Sequence, residues 1–420
     1  MKVQIKDTEK GQAIVYLVIG LVVFLGFVAL AIDGGMALAD RRHAQNGADA
    51  ASLAGGGAAA EYMEAKNVTT LNWDCYNNGN ILAAIGQAEN TAIQRAGANN
   101  FTIGQGIIDG NGTVAACGST NYIGFTDHYL DVTVDISATT QSNYLQIIFP
   151  QALHSEVEAV ARVRPRHPPA FGSAIVACNP DMCGGAGTPG GVFSGGGKIF
   201  LDGGGIFSNG CLNGNGGPTI VITDSVAMGR DLDPGNANWD PAPLQTPLEL
   251  DCDQFNFSPP NCSDPAAHII NSGKLPNVPT VLDGLYCING NLSINGNEEI
   301  TGTNVTIYVP TGKLTINGTP TIHLASPPPD SAYPPAMPGV LIYLPPTNSN
   351  AVVMNGTEDS WFIGMLLAPS STITLNGTGG NSYQGQVIGW NVNVGGTSDT
   401  YVIYHPEDGF TFPATIELAR

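Results

Sequence analysis

An uncharged apolar stretch near the N-terminus constrains this chain more than any other feature. It runs from Gly11 to Ile32, GQAIVYLVIGLVVFLGFVALAI. At about 1.5 Å per residue, the stretch from Ala13 onward spans about 30 Å as a helix, which is the thickness of a bilayer's hydrocarbon core. It is longer than the apolar core of a signal peptide and ends without a small-x-small cleavage site. We therefore predict a retained single-pass transmembrane helix in the lipid bilayer, with residues 1–32 forming a cytoplasmic tail and the span.

Cysteine usage predicts the compartment of the rest of the chain. All eight cysteines follow the span, in a body rich in Gly, Asn and Thr. Disulfides form and persist in oxidising compartments. We therefore expect the protein in the cell membrane, with the bulk of the chain extracytoplasmic or at the cell surface.

Composition excludes several classes of protein. With 54 Gly, 29 Pro and only 12% charged residues, the chain is not a charged helical bundle and must contain many turns. Its net charge of −20 repels phosphate backbones, so we expect no nucleic-acid partner. Its 420 residues suffice for more than one domain.

Residues 33–66 are rich in alanine, which favours helix. We expect a helical stalk that extends the membrane anchor or stacks on a partner helix. The run Gly55-Gly56-Gly57 should break or bend this helix, since glycine is unfavourable in a helix interior.

The segment from Gly11 to Gly56 resembles the N-terminal part of the tight-adherence (Tad) pilus-assembly TadE/TadG-like family. Gly11-Gln12 precedes the span, Asp33-Gly34-Gly35 follows it, and residues 48–55, ADAASLAG, end the alanine-rich helix as in that family. The resemblance implies a single-pass envelope protein linked to pili or secretion, with Tad pilus or other envelope proteins as partners.

The pilins of such systems are cut after a glycine and carry Glu at the fifth mature position. Cleavage after Gly11 would put Tyr16 there. We therefore expect an unprocessed TadG-like protein, and a pilin-like filament subunit that polymerises through its N-terminal helix remains the alternative.

Residues 67–170 are predicted to form a small α+β module. Its predicted order of strand, short helix and strand also resembles the C-terminal part of TadE/TadG-like modules. A helical pattern begins at Gly79, and alternating apolar residues predict strands around Val132 and Ala159. A short helix is expected from Asn143 to Phe149. Cys75 and Cys117 bracket the first helix and are expected to form a disulfide.

Residues 171–420 are predicted to form a parallel β-helix, or β-solenoid. Short β-branched runs alternate with glycine and asparagine turns, and four runs end in a shared Asn-Gly corner. We expect the corner asparagines to stack about 4.8 Å apart in successive coils. A β-sandwich is the alternative, because Asn-Gly is also a hairpin signal. The four corners are Asn295, Asn317, Asn355 and Asn376.

The overall fold class is therefore mainly β with an α+β N-terminal part. Six cysteines lie in the β region, where local pairing of Cys178 with Cys183 and of Cys252 with Cys262 is the simplest arrangement. Six cysteines allow fifteen connectivities, so the pairing stays open.

One loop could hold Ca²⁺, because it alternates oxygen ligands, although no Glu closes it as in an EF-hand. The competing interpretation is a plain turn of Asp, Asn, Pro and Gly residues. No other cofactor is indicated. The candidate ligands are Asp231, Asp233, Asn236, Asn238 and Asp240.

The sequence predicts a structural or adhesive protein rather than an enzyme. Polysaccharide lyases and hydrolases of β-helix type use clustered carboxylates with basic residues, whereas the basic residues after position 171 are few and scattered. We expect a TadG-like component of a Tad pilus or envelope assembly, with surface glycans or other cells as further partners. Tyr333 and Trp390 could stack on neutral sugars or protein surfaces. A surface carbohydrate-active enzyme is the alternative.

Overall fold

The computed structural model describes residues 12–122, 125–144, 152–184, 189–271, 273–275, 280–296, 299–318, 321–355, 360–377, 381–405 and 409–419. The chain divides into two compact units. The N-terminal unit comprises residues 1–120, 127–166 and 413–420, and the solenoid unit comprises residues 121–126 and 167–412. The predicted stalk is therefore part of the same unit as the α+β module, and the boundary falls at residue 166 instead of 170.

The apolar span and the alanine-rich stalk form one helix, α1 (Gln12–Ala65), which is followed by α2 (Gly79–Ala98). The predicted break at Gly55-Gly56-Gly57 is wrong. A side chain at Gly55 would place its Cβ 2.8 Å from the carbonyl oxygen of Ala88, so the glycine lets α1 and α2 approach closely. Burial of alanines along both helices, including Ala51 and Ala92, supports the same close packing.

A four-stranded sheet completes the N-terminal unit. Its strands are ordered β1, β2, β3 and the C-terminal strand β25, with β2 antiparallel to β3 and β3 antiparallel to β25. Cys75 is bonded to Cys117, the pairing that their positions suggest. The predicted helix from Asn143 to Phe149 lies largely outside the described residues. The strand bounds are β1 (Gly112–Tyr122), β2 (Phe125–Thr140), β3 (Leu153–Arg164) and β25 (Thr415–Leu418).

The solenoid unit is a parallel β-solenoid, which confirms the predicted β-helix and excludes the sandwich. Its 21 described strands pair in parallel as one coiled sheet. They are β4 (Ile175–Ala177), β5 (Gly191–Ser194), β6 (Lys198–Asp202), β7 (Ile206–Asn215), β8 (Thr219–Thr223), β9 (Ala227–Asp233), β10 (Asn238–Asp240), β11 (Leu244–Gln245), β12 (His268–Ile270), β13 (Thr280–Asn289), β14 (Leu292–Gly296), β15 (Glu299–Thr311), β16 (Leu314–Gly318), β17 (Thr321–Ala325), β18 (Val340–Tyr343), β19 (Val352–Asn355), β20 (Trp361–Ile363), β21 (Met365–Gly377), β22 (Asn381–Gln384), β23 (Val387–Gly396) and β24 (Thr400–Ile403).

The coils place their strands in three stacks. Each stack consists of the strands named here and of the strand segments that pair with them in register. Stack A contains residues 175–177, 206–208, 340–343 and 387–389. Stack B contains β5, β14, β16 and β19, and stack C contains β6, β8, β17, β20, β22 and β24. Apolar side chains of all three stacks fill the interior.

The predicted asparagine corner is confirmed. Asn295 pairs in register with Asn317, and Asn355 pairs with Asn376. The side-chain amide of Asn355 donates to Asn317 Oδ1, and Asn376 Nδ2 donates to Asn355 Oδ1 at 2.7 Å. Because identical side chains repeat at one strand spacing, the amides of Asn317, Asn355 and Asn376 bond to one another along the stack.

The order of coils along the column differs from their order in the chain. The first strand of the solenoid, β4, lies between β23 and β7, so the first coil stacks on the last. The column therefore begins at β12, proceeds to β24, continues from β4 and ends at β11. The chain enters and leaves the column at its middle.

Residues 246–267 connect the two ends of the column, and we call them the strap. About nine strand spacings, or roughly 43 Å, separate β11 from β12, which an extended segment of this length can cover. Asn209 fixes the strap by donating to the carbonyl oxygen of Leu250 and accepting from its amide, at 2.7 and 2.8 Å.

The strap accounts for two of the three disulfides of the solenoid unit. Cys178 bonds Cys252 and Cys262 bonds Cys287, while Cys183 bonds Cys211. The two predicted local pairs are wrong, because Cys252 and Cys262 lie on the strap and each bonds to a residue on the solenoid body that the strap crosses.

The outer face of stack A is covered as well as its inner face. Phe255 of the strap packs into an apolar cluster with Val176 and Phe207 on that outer face. The Tyr343 hydroxyl donates to the carbonyl oxygen of Phe257 at 2.7 Å, and burial raises the pKa of this phenol to about 12. A strand covered on both faces is apolar at every position, as in β18, Val340–Tyr343.

The glycine run in α1 yields a prediction with a matched control. Gly55→Ala should lower the free energy of unfolding of the N-terminal unit by about 1–3 kcal/mol, because the added methyl group meets Ala88. Gly57→Ala should raise it by roughly 0.5–1 kcal/mol, because nothing lies within 4 Å of that position and alanine favours helix. Hydrogen exchange of the α2 amides in the full chain measures both effects. Equal effects of the two substitutions would contradict the close approach.

Candidate functional site

The outer face of stack C carries a row of side chains in strand register. The alternating burial of its strands, as in β17 and β6, points every second residue outward. The row consists of Thr301, His323, Trp361, Ser382, Tyr401, Phe200 and Val221.

Two aromatic pairs in this row are separated by a small residue. His323 stacks on Trp361 with ring centroids 4.9 Å apart and planes 7° from parallel. Tyr401 stacks on Phe200 at 5.0 Å and 6°. Ser382 lies between the pairs, so Trp361 and Tyr401 are two strand spacings apart, about 9.6 Å. We call this gap the Ser382 slot.

A cavity of about 450 Å³ adjoins the row. Its floor is the next outward row of stack C, including Ile363, Gln384 and Ile403. Pro329 and Phe410 contribute apolar walls. The size and the apolar lining are typical of a small-molecule site.

Two polar atoms at this face lack a hydrogen-bond partner among the described residues. Gln386 lines the cavity and is 1% exposed, and its Nε2 donates to the carbonyl oxygens of Pro169 and Ser173 at 3.1 and 2.6 Å. Its Oε1 is left unpaired. The Oγ of Ser382 is likewise buried and unpaired. Unpaired buried acceptors are rare and are candidates for contact with a ligand.

The cavity is close to neutral. Its described lining holds no Lys, Arg, Asp or Glu. His405 lines it, and His405 Nε2 lies 4.0 Å from Asp202 Oδ2. That separation is longer than the hydrogen bond that orients a catalytic base.

The five candidate Ca²⁺ ligands are distributed over two stacks of the solenoid and the turn between them. Asp231 and Asp233 belong to β9 in stack B, whereas Asn238 and Asp240 belong to β10 in stack C. Asp231 Oδ2 accepts from the Cys183 amide at 2.8 Å. Asn236 lies in the turn between these strands. Within the described ranges, no group of three His, Cys, Asp or Glu side chains is arranged to hold a metal ion.

The two aromatic residues expected to bind sugars lie elsewhere. The Tyr333 hydroxyl donates to both oxygens of Asp283, at 2.9 and 3.0 Å, and this hydrogen bond raises the pKa of Tyr333. Trp390, which is 40% exposed, follows the stack A part of β23. Sequence reasoning missed Trp361, Ser382 and Tyr401. The contact of Tyr401 with Phe200 in particular arises only because the last coil stacks on the first.

The part of α1 that follows the apolar span is tied to the end of β2 and to the residues just after it. Asp33, which directly follows the apolar span, is fully buried and accepts from the backbone amides of Asn143 and Tyr144 at 3.1 and 2.9 Å. Asp40 accepts from the Thr140 hydroxyl at 2.6 Å. Among the described helices, α1 is the one long and apolar enough to cross a membrane.

Residues 11–60 match the Tad family model of Flp pilus-assembly TadE/G-like proteins. This match confirms the resemblance of the N-terminal segment. Comparison with curated proteins gives no match, and neither does comparison with solved structures. Within the Tad-like segment, Asp33 has a structural role, and Gly55 is the close-approach glycine of α1.

Asp33 and Asp40 provide a matched pair of substitutions in the Tad-like helix. Asp33→Ala should accelerate amide exchange at Asn143 and Tyr144 by about tenfold or more, because each amide loses its charged acceptor. Asp40→Ala should leave those two amides unchanged, because Asp40 bonds the Thr140 side chain instead. Exchange of the full chain in detergent micelles, followed by mass spectrometry, measures both. Unchanged exchange in Asp33→Ala would contradict this role.

Proposed function

We propose that this protein is a structural or adhesive component of a Flp (Tad) pilus or envelope assembly, anchored in the membrane by α1. The observation that carries the proposal is the continuity of α1. One helix contains the apolar span and then packs, through its Tad-like second half, into a folded unit. The chain fits a membrane-anchored envelope protein for this reason.

The cysteines support an extracytoplasmic body. Four disulfides join all eight cysteines, one in the N-terminal unit and three in the solenoid unit. Two of the three solenoid disulfides link the strap to the solenoid body. In a reducing compartment these bonds would be absent, and only packing and hydrogen bonds would hold the strap in place.

Binding without turnover is the activity we propose for the solenoid. Glycoside hydrolases place two carboxylates on either side of the scissile bond, about 5–9.5 Å apart. The described lining of the cavity contributes none. Incubation of the full chain with polysaccharides should therefore yield no new reducing ends or unsaturated products. Turnover abolished by one carboxylate substitution would favour the carbohydrate-active enzyme instead.

Membrane anchoring and oxidation can be tested on the chain isolated from cells that make it. We expect it in carbonate-washed membranes, accessible to protease from the extracytoplasmic side of the membrane, with no thiols that react under denaturing, unreduced conditions. A variant without residues 12–32 should leave the membrane fraction. N-terminal sequencing should find residues before Gly11.

Three results would contradict the proposal in different ways. Reactive thiols at most cysteines would place the body in the cytoplasm. A mature terminus at Gln12 would favour the pilin-like filament subunit. Crosslinking in intact, piliated cells followed by capture of the full chain should recover pilus-assembly proteins, and their absence would argue against the pilus association.

A further inference from the structure

We propose that the outer face of stack C binds a neutral oligosaccharide, with one sugar ring in the Ser382 slot and an adjoining part of the glycan in the cavity. The site consists of Trp361, Ser382, Tyr401, Gln384 and Gln386. This inference deepens the adhesive role proposed above and rests on it only for the location of the glycan at the cell surface.

The slot has the thickness of one ring. The two stacked pairs repeat close to the strand spacing, with ring centroids 4.9 and 5.0 Å apart and nearly parallel planes. Paired aromatic rings have centroids about 4.5–7 Å apart, so two successive ring contacts need at least about 9 Å. The two strand spacings between Trp361 and Tyr401 therefore match two such contacts, with only the small side chain of Ser382 at the position between them.

The polar groups at the site call for a ligand with hydroxyl groups. Gln384 is exposed on the cavity floor, whereas Gln386 Oε1 and Ser382 Oγ are unpaired and lie just beneath the surface. A sugar combines apolar C–H faces, which pack against Trp361 and Ile403, with hydroxyl groups that bond Gln384 and donate to the two buried acceptors once neighbouring side chains move aside. A purely apolar ligand would leave both acceptors unpaired.

Charge selects neutral over acidic sugars. The described cavity lining has no Lys or Arg to neutralise a uronic acid carboxylate. The net charge of −20 also repels polyanions. Binding should therefore depend little on ionic strength, in contrast to binding through ion pairs.

The test is a titration of the full chain in detergent micelles with neutral hexasaccharides, namely cellohexaose, chitohexaose, maltohexaose and mannohexaose, and with hexagalacturonate. Tryptophan fluorescence and calorimetry measure binding. We expect saturable binding of at least one neutral hexasaccharide, with a Kd that changes by less than about twofold between low and high salt. Hexagalacturonate should not bind.

Substitutions separate binding from folding. Trp361→Ala and Tyr401→Ala should each weaken binding by about tenfold or more, because each removes one wall of the slot. Ser382→Ala should weaken it severalfold without lowering the melting temperature, because the hydroxyl has no protein partner. Ser382→Phe should fill the slot, continue the aromatic row and abolish binding in a protein at least as stable as the original. Trp390→Ala, an exposed tryptophan outside stack C, is the control and should bind normally.

The proposal is overturned if no neutral hexasaccharide binds at millimolar concentration, or if only hexagalacturonate binds. It is equally overturned if folded Trp361→Ala or Ser382→Phe binds as well as the original chain, or if Trp390→Ala removes binding. None of these outcomes touches membrane anchoring or pilus association, which fractionation and crosslinking test independently.

Discussion

Parallel pairing of strands in fixed register is the constraint on which the solenoid depends. Each coil satisfies its backbone hydrogen bonds on the coils above and below it, so an apolar side chain that points inward in one coil must be matched in the next. Register therefore produces side-chain rows on both faces. Inside, it yields a continuous apolar core. At one corner it yields the asparagine stack, and on the outer face of stack C it yields the aromatic pairs.

The same constraint explains the strap. Both halves of the solenoid advance in the same direction along one column, yet the chain enters the column at its middle. After β11 it must therefore return to the opposite end of the column, where β12 begins the second half and the chain winds in the same direction to the middle. The strap makes this crossing over the outer face of stack A, where Leu250 and Phe255 bury apolar surface and two disulfides fix it. Disulfides stabilise a long connection of this kind, because a disulfide that closes a longer loop removes more conformational entropy from the unfolded chain.

The N-terminal unit follows a different rule, close packing through small residues. Glycine and alanine on α1 let α2 and the sheet approach its backbone, and Asp33 fixes the end of β2 beside the point where the apolar span ends. The segment that matches the Tad family thus combines a membrane anchor with the packing surface of a folded unit. In the solenoid unit, the candidate glycan site lies on stack C, whose described outer face combines two aromatic pairs with a cavity.

The sequence by itself determined the features that depend on local spacing. The apolar length of the span, the Tad-like pattern of small and polar residues, and the recurrence of Asn295, Asn317, Asn355 and Asn376 predicted the anchor, the family resemblance and the solenoid. The spacing of the Asn-Gly turns along the chain equals the length of one coil, so it can be seen in the sequence without knowing how the coils stack.

The tertiary structure decided what depends on the order of coils in space. Cys178 bonds Cys252, and Tyr401 stacks on Phe200, because the last coil lies on the first and the strap crosses the column. Neither partner is close in sequence, so local pairing of cysteines was wrong and the Ser382 slot was missed. From the sequence alone, Gly55 was expected to break the helix. The structure shows instead that α2 packs against this position, where the absence of a side chain allows the backbone of Ala88 to come into contact.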